Sequence, residues 1–295
     1  MDWRSLKPDD LARSYSPSSK VGDIEPFIRR YKESSVEAKR GLCRQLIENI
    51  SYGEAEEERL DLFLPERSQG GPGFPLAVFV HGGYWQELSK NEHAFPAPAW
   101  LSAGYGFAAL SYGLAPDASV ARMITRCRHA IDWLADNAGQ YGYDPDNISA
   151  IGHSAGAHLI ASAISPNLAG EGNGRLLKHP AKSILIGGIY DLEPICHTYV
   201  NEPLGLDPAS ARKVSPLYHS PDPAVELVII YAERETDEFT RQSREYAQHC
   251  LGVSRHLQII QVDGRHHFDI IFDIADSQSS LFQKISCQTR LDVSQ

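Results

Sequence analysis

The residues with the clearest capacity for chemistry are Gly152–Gly156, which read Gly-His-Ser-Ala-Gly. A short apolar run at 148–151 precedes them and a run of small, helix-forming residues follows them, which is the context of a nucleophile elbow. In such an elbow the chain turns so sharply at the serine that a side chain at either flanking glycine would clash. The pattern predicts that Ser154 Oγ is a nucleophile at the end of a strand, above a helix N-terminus.

A serine hydroxyl needs a base to take its proton at neutral pH, and that base needs an acid to hold it in the correct tautomer. Behind an elbow of this kind, the acid is expected after the penultimate strand and the histidine after the last strand. The loops that follow the last two apolar runs contain Glu235 and Asp237 in the first case, and His266 and His267 in the second.

The sequence separates the two candidate acids better than the two candidate histidines. Thr236 has the character of a helix N-cap, which puts Asp237 in the first turn of a helix and leaves Glu235 as the last loop residue. This favours Glu235 as the acid. His266 and His267 are adjacent and cannot face the same way, and neither spacing nor composition separates them.

A third loop could stabilise the negative charge that develops on a carbonyl oxygen. Residues 81–85 read His-Gly-Gly-Tyr-Trp and directly follow an apolar run. Paired glycines let backbone amides approach an oxyanion closely, and the amide after the nucleophile is the usual second donor. We therefore predict that Gly83, Tyr84 and Ala155 donate to the oxyanion.

The elements that must position these loops alternate between strands and helices. Runs that are apolar on both faces are typical of buried parallel strands, and apolar positions between Val120 and Leu134 recur at helical spacing. This alternation predicts an α/β fold with a mostly parallel central sheet and helices on both faces. The predicted strands lie near 49–52, 59–64, 76–80, 107–112, 148–151, 183–188, 227–231 and 257–262.

One domain is predicted over residues 1–295, because no internal repeat and no second core is visible. Residues 1–48 are polar and helix-leaning, so we expect an N-terminal helical segment that lies over the main domain. Residues 191–223 lack strand character and are long for a connection, which makes them a candidate lid.

Composition narrows the class of protein. The formal net charge of −10 argues against nucleic acid or an anionic membrane as the main partner. The five cysteines are scattered without a CxxC pair, and neither a signal-peptide pattern nor a membrane-spanning run is visible. We expect a cytoplasmic protein with reduced thiols and no metal or other cofactor. The oligomeric state stays open, and a homo-oligomer is compatible with the sequence.

Taken together, these motifs resemble the α/β-hydrolase superfamily and, more narrowly, its serine-dependent kynurenine formamidase (arylformamidase) group, which is related to hormone-sensitive-lipase-type esterases. The esterases carry His-Gly-Gly-Gly where the formamidases, like this chain, carry His-Gly-Gly-Tyr-Trp. The similarity spans about residues 75–285. The stretches that carry it are 81–85, 111–116, 156–159, 188–194, 215–216, 239–243 and 267–269.

The resemblance separates the pairs that spacing leaves open. The family's acid falls on Glu235 and its base falls on His267. The family usually has aspartate at the acid position, so Asp237 stays an alternative. The Gly-Thr-His-x-Asp cluster of the unrelated metal-dependent formamidases is absent from the sequence, and His153 and His158 are not spaced as a metal pair.

The resemblance implies a serine hydrolase that cleaves a small acyl group from an aryl amide, as in the hydrolysis of N-formylkynurenine to formate and kynurenine. Tyr84 is expected to narrow the acyl side, and Trp85 and Tyr112 are expected to stack on the aromatic leaving group. The alternatives are a carboxylesterase or an amidase for other N-acyl arylamines, and a non-catalytic ligand-binding protein on the same fold.

Overall fold

The computed structural model describes residues 3–66, 73–168, 170–171, 176–254 and 256–286. Cys287, one of the five cysteines, lies outside them. Eight strands form one sheet within the described residues. They are β1 (Leu46–Ser51), β2 (Arg59–Phe63), β3 (Phe74–Val80), β4 (Gly106–Leu110), β5 (Tyr143–His153), β6 (Lys182–Ile186), β7 (Glu226–Ala232) and β8 (Leu257–Val262).

The strand order in the sheet is β1-β2-β4-β3-β5-β6-β7-β8. The β1–β2 and β2–β4 pairs are antiparallel, and every later pair is parallel. Because parallel strands are joined by crossovers, the loops after β3, β5, β6, β7 and β8 all leave from the same edge of the sheet. The predicted nucleophile, acid, histidine and oxyanion loops therefore share that edge.

Helices cover both faces of the sheet. The α-helices are α1 (Pro8–Ser14), α2 (Glu25–Gly41), α3 (Ala97–Ser102), α4 (Val120–Tyr141), α5 (Ala155–Ala163), α6 (Pro208–Lys213), α7 (Asp237–Cys250) and α8 (Ser280–Ser286). Short 3-10 helices lie at Trp3–Ser5, Pro17–Lys20, Lys90–Glu92, Pro194–His197, Tyr199–Asn201, Pro216–Tyr218 and Ile270–Ala275.

Strand β3 illustrates why the apolar runs form this sheet. Val78 and Val80 pack into the core under α4, α5 and α7, whereas Ala77 and Phe79 pack into a second core with α3 and α8. Successive side chains of a strand point to opposite faces, so a strand between two helical layers must be apolar at every position. The predicted α/β fold with helices on both faces is confirmed.

The N-terminal segment, residues 3–41, contains α1 and α2. Helix α2 is fastened to the main domain by an ion pair between Lys39 Nζ and the buried Asp61 carboxylate at 2.6 Å. One turn earlier in α2, Ser35 Oγ accepts hydrogen bonds from the amides of Ala94 and Phe95, both at 3.1 Å. Side chains therefore hold this segment in place, without any strand pairing of its own.

Residues 191–223, the candidate lid, contain three 3-10 turns and the short helix α6. The buried hydroxyl of Ser215 accepts a hydrogen bond from the Leu192 amide at 2.8 Å and so closes the two ends of the segment together. A lid role for these residues stays a prediction. None of the helices in the described part of the chain is both long and apolar enough to cross a membrane.

Candidate active site

The Gly-x-Ser-x-Gly turn lies between β5 and α5. Ser154 has φ +54°, a conformation that L-residues adopt at a cost and that marks a strained turn. A Cβ on Gly152 would lie 2.4 Å from the carbonyl oxygen of Gly156, and one on Gly156 would lie 2.0 Å from that of Val80. Only glycine fits at either position, so the local geometry is that of a nucleophile elbow.

Ser154 and His267 line the same cavity, which has a volume of about 240 Å³. Ser154 is only 4% exposed, and its hydroxyl has no hydrogen-bond partner among the described residues. The hydroxyl is therefore free to meet a ligand in this cavity.

The His267 imidazole is held by Glu235. Its Nδ1 lies 2.9 Å from Oε1 and 3.1 Å from Oε2 of a fully buried carboxylate. Because a carboxylate can only accept, Nδ1 carries the hydrogen and Nε2 is left with its lone pair. Glu235 follows β7 and His267 follows β8, which are the loops that the sequence indicates.

The competing residues lie elsewhere. Asp237 is exposed at the start of α7, where a carboxylate interacts favourably with the helix dipole. His266 turns its Nε2 to Asp269 Oδ2 at 3.3 Å, and its Nδ1 accepts a hydrogen bond from the Phe268 amide at 3.1 Å. The structure thus brings Glu235 and His267 together, and not their neighbours.

The loop 81–85 packs directly on the elbow. A Cβ on Gly82 would lie 3.0 Å from Ser154 Cβ. Gly83 and Tyr84 both have positive φ, +98° and +51°, and the amide of Ala155 is at the N-terminus of α5. None of these three amides donates to an acceptor within the described residues.

Trp85 and Tyr112, which the sequence predicts to stack on a leaving group, are not among the residues that line the cavity. Both are fully buried. Trp85 has φ +62° and points beneath the loop, where its Nε1 donates to His158 Nδ1 at 3.2 Å. The Tyr112 hydroxyl donates to the carbonyl oxygen of His81 at 2.9 Å. The two rings pack beneath the loop 81–85, whereas Tyr84 lines the cavity.

Gly187, directly after β6, is a site residue that the sequence reasoning missed. It has φ +54°, and a Cβ there would lie 2.9 Å from Glu235 Oε1 and 3.2 Å from His267 Nδ1. A larger residue would push into the acid–histidine pair while straining the backbone. The apolar run 183–188 contained this glycine, but nothing in the run distinguished it from a strand end.

His153, the second residue of the elbow, was also missed. Its Nε2 donates to the carbonyl oxygen of His267 at 2.9 Å, and the ring is buried. Burial holds the pKa of His153 well below its ordinary value, so the ring stays neutral. The elbow is thereby joined to the backbone of the histidine loop.

The third missed feature is the N-terminal segment, which contacts three of the loops at the cavity. Tyr84 donates its hydroxyl hydrogen to the carbonyl of Tyr15. Thr236 Oγ1, beside Glu235, donates to the carbonyl of Ser14 at 2.5 Å. The Tyr31 hydroxyl donates to the carbonyl of Phe268. Oxyanion, acid and histidine loops are thus all hydrogen-bonded to residues that precede β1.

No group of three or more His, Cys, Asp or Glu side chains that could hold a metal ion occurs within the described ranges. Three histidines near the oxyanion loop are instead buried in packing. Burial lowers the pKa of His81 to about 3 and the pKa values of His93 and His158 to about 4.

Comparisons with known proteins identify relatives of this chain. The family model described as BD-FAE matches residues 60–181. The kynurenine formamidase of Danio rerio is 33% identical over 285 residues, which cover 93% of this chain and 94% of the relative. That of Salmo salar is 32% identical, covering 95% and 96%. A solved structure from Silicibacter sp. TM1040, provisionally assigned as a thioesterase, has 26% identity and a TM-score of 0.82, covering 94% and 99%.

Proposed function

Because this chain belongs to the kynurenine formamidase family of α/β-hydrolases, we propose that it hydrolyses N-formyl aryl amides, with N-formylkynurenine as the favoured substrate. The chain is a hydrolase, and its substrate is a small molecule. The products of the proposed reaction are formate and the free aryl amine. The hydrogen-bonded pair of Glu235 and His267 at the cavity that contains Ser154 is the observation that carries the proposal.

In the proposed mechanism, Ser154 Oγ attacks the formyl carbon while His267 Nε2 takes the hydroxyl proton. The hydrogen bond between these two groups is expected to close when substrate binds, since such bonds are often open in unliganded enzymes. Glu235 fixes the tautomer of the imidazole and stabilises its charged form. The C–N bond then breaks as His267 returns the proton to the departing nitrogen.

The second half of the reaction removes the formyl group from Ser154. Water attacks the formyl ester, His267 again takes and returns a proton, and formate leaves. In both halves the amides of Gly83, Tyr84 and Ala155 are proposed to donate to the oxyanion. Their lack of another acceptor supports this role. The side chain of Tyr84, where related esterases have glycine, is proposed to restrict the acyl side to small groups.

The proposal is tested by steady-state kinetics on matched N-formyl and N-acetyl derivatives of the same aryl amine. We expect kcat/KM to be higher for the formyl compound by about tenfold or more, since one extra methyl group in a tight pocket costs that much. Ser154→Ala is expected to lower kcat by around 10⁶-fold and to abolish labelling by a fluorophosphonate, whereas Ser149→Ala, on the same strand, retains both.

Near-normal activity of Ser154→Ala would overturn the mechanism. Equal rates on the formyl and acetyl compounds would overturn the formamidase proposal and leave the second candidate, an esterase or an amidase for other acyl groups. The similarity to a structure assigned as a thioesterase favours the ester-cleaving form of that candidate. Fluorophosphonate labelling separates either enzyme from a non-catalytic binding protein.

We further propose a cytoplasmic location, an aromatic amide or ester as the substrate, and no nucleic-acid partner. The free thiols of Cys43, Cys127, Cys196 and Cys250 support a reducing compartment. The net charge of −10 supports the exclusion of nucleic acid. A homo-oligomer stays compatible with these features.

A further inference from the structure

Helix α2 presents an apolar stripe to the cavity. Ile24 is the N-cap residue of α2, and Ile28 and Tyr31 follow it at positions i+4 and i+7, so the three side chains share one face. All three line the cavity that contains Ser154. Ile24 and Ile28 are only half-buried. Their remaining apolar surface is available to a ligand, and covering it would be favourable.

The helix that carries the stripe packs against the histidine loop. The Phe27 ring packs edge-on against His266, with centroids 4.7 Å apart, and is stacked on Phe268 at 6.2 Å. The Tyr31 hydroxyl donates to the carbonyl of Phe268. Helix α2 is therefore fixed to the residues on either side of His267.

In acyl transfer, the surface beside the catalytic histidine is where the leaving group binds. The histidine that takes the serine proton must deliver it to the departing atom, so the leaving group has to lie within hydrogen-bond reach of that histidine. The acyl group lies instead against the oxyanion donors. An apolar surface beside His267 thus faces the leaving group.

We propose that α2 forms the leaving-group subsite, in which Ile24 and Ile28 are specificity-determining residues that bind a flat aromatic ring. The proposal rests on the proposed function for the roles of Ser154 and His267. It goes beyond that function by assigning the choice of an aryl over an alkyl leaving group to a helix that precedes the sheet. Trp85 and Tyr112, which are buried away from the cavity, do not supply this surface.

The test compares phenyl formate with ethyl formate. Both esters give the same formyl–Ser154 intermediate and differ only in the leaving group, so kcat/KM isolates the leaving-group subsite. We expect Ile24→Ala and Ile28→Ala each to lower kcat/KM for phenyl formate by about tenfold relative to wild type. The value for ethyl formate is expected to stay within about twofold. Val36→Ala, on an exposed position of the same helix, is the matched control and should change neither.

A second variant distinguishes a blocked subsite from a destabilised protein. Ile28→Trp fills the subsite, so it should lower kcat/KM for phenyl formate much more than for ethyl formate while the thermal midpoint stays near that of wild type. An equal fall for both esters in the alanine and tryptophan variants would overturn the proposal, since it indicates a structural role. An unchanged preference for phenyl formate would also overturn it, since it shows that the ring binds elsewhere.

The outcome is distinguishable from failure of the proposed function. If wild-type protein cleaves both formate esters but not an N-formyl aryl amide, the formamidase proposal fails. The variants still report on the leaving-group subsite in that case, because the esters use the same serine and histidine.

Discussion

Two regions meet at the cavity, and they are held in different ways. The carboxyl ends of β5, β7 and β8 carry Ser154, Glu235 and His267, and sheet hydrogen bonds fix the places of these strands. The N-terminal segment has no strand, and side-chain contacts such as the Tyr31–Phe268 hydrogen bond fix it instead. The sheet edge thus carries the proposed reacting groups, and the segment supplies part of the wall of the cavity.

The largest effect that separates these regions is expected at the acid. Glu235→Gln would place an amide against His267 Nδ1 and favour the wrong tautomer, so we expect kcat to fall by up to about 10⁴-fold. Asp237→Asn is the matched control, since this residue is exposed two positions away, and it should retain kcat within about twofold. The measurement is kcat on the formyl aryl amide. The reverse order of the two variants would transfer the acid role to Asp237.

A smaller effect is expected where the segment touches the histidine loop. Tyr31→Phe leaves the Phe268 carbonyl without its donor, which should lower the free energy of unfolding by about 1–3 kcal/mol. Because Phe268 is the residue directly after His267, we also expect kcat on phenyl and ethyl formate to fall together, by about tenfold. Denaturant unfolding and steady-state kinetics give the two quantities.

Tyr105→Phe provides the comparison for Tyr31→Phe. Its hydroxyl donates to the carbonyl of Ser286 at 2.7 Å, at the end of α8 and outside the histidine loop. A similar loss of stability with unchanged kcat is expected. If both variants lost kcat in proportion to stability, the Tyr31 contact would be structural only, and the division between the two regions would not hold there.

The last effect concerns stability at acid pH and not activity. His81, His93 and His158 have pKa values lowered by burial to about 3, 4 and 4, so the unfolded chain binds more protons than the folded chain below pH 6.5. The free energy of unfolding should therefore fall as pH falls from about 6.5 toward 4, by about 1.4 kcal/mol per pH unit for each such histidine. These rings lie in or beside the oxyanion loop, whereas the hydrogen bond that joins this loop to the N-terminal segment comes from the Tyr84 hydroxyl, which does not titrate in this pH range.

His158→Gln tests this assignment, because glutamine can still accept from Trp85 Nε1 and donate to the Val214 carbonyl, as His158 does. Denaturant unfolding at pH 7, 6 and 5 gives the free energy of unfolding as a function of pH. Its slope should be smaller in the variant than in wild type by up to about 1.4 kcal/mol per pH unit, the contribution of one proton. Identical slopes would show that His158 does not couple folding to protonation.

The sequence predicts the sheet edge better than the segment for a physical reason. Apolar runs and the residues just after them are local signals, and the parallel sheet brings Ser154, Glu235 and His267 to one edge once those runs become strands. The contacts of the segment are not local: Tyr31 and Phe268 are 237 positions apart, and Thr236 and Ser14 are 222 apart. The helical spacing of Ile24, Ile28 and Tyr31 was the available signal, and it is equally typical of simple core packing.

The aromatic residues of the oxyanion loop show a second limit of sequence reasoning. Trp85 and Tyr84 are adjacent, and composition gives both the capacity to contact an aromatic ligand. The positive φ values at 83, 84 and 85 decide which ring reaches the cavity, and these depend on the packing of the loop over α5. The structure turns Trp85 inward to His158 and leaves Tyr84 at the cavity wall.

The link between Tyr31 and Phe268 also bears on how the protein is made. During synthesis, α2 leaves the ribosome long before its partner in the histidine loop exists, and contacts so distant in sequence form slowly. A nascent chain that ends near residue 250 already has Ser154 and the oxyanion loop, yet it has neither His267 nor the finished wall of the cavity. We expect the nascent enzyme to be inactive until β8 and His267, which follows it, have left the ribosome, although Ser154 is synthesised earlier.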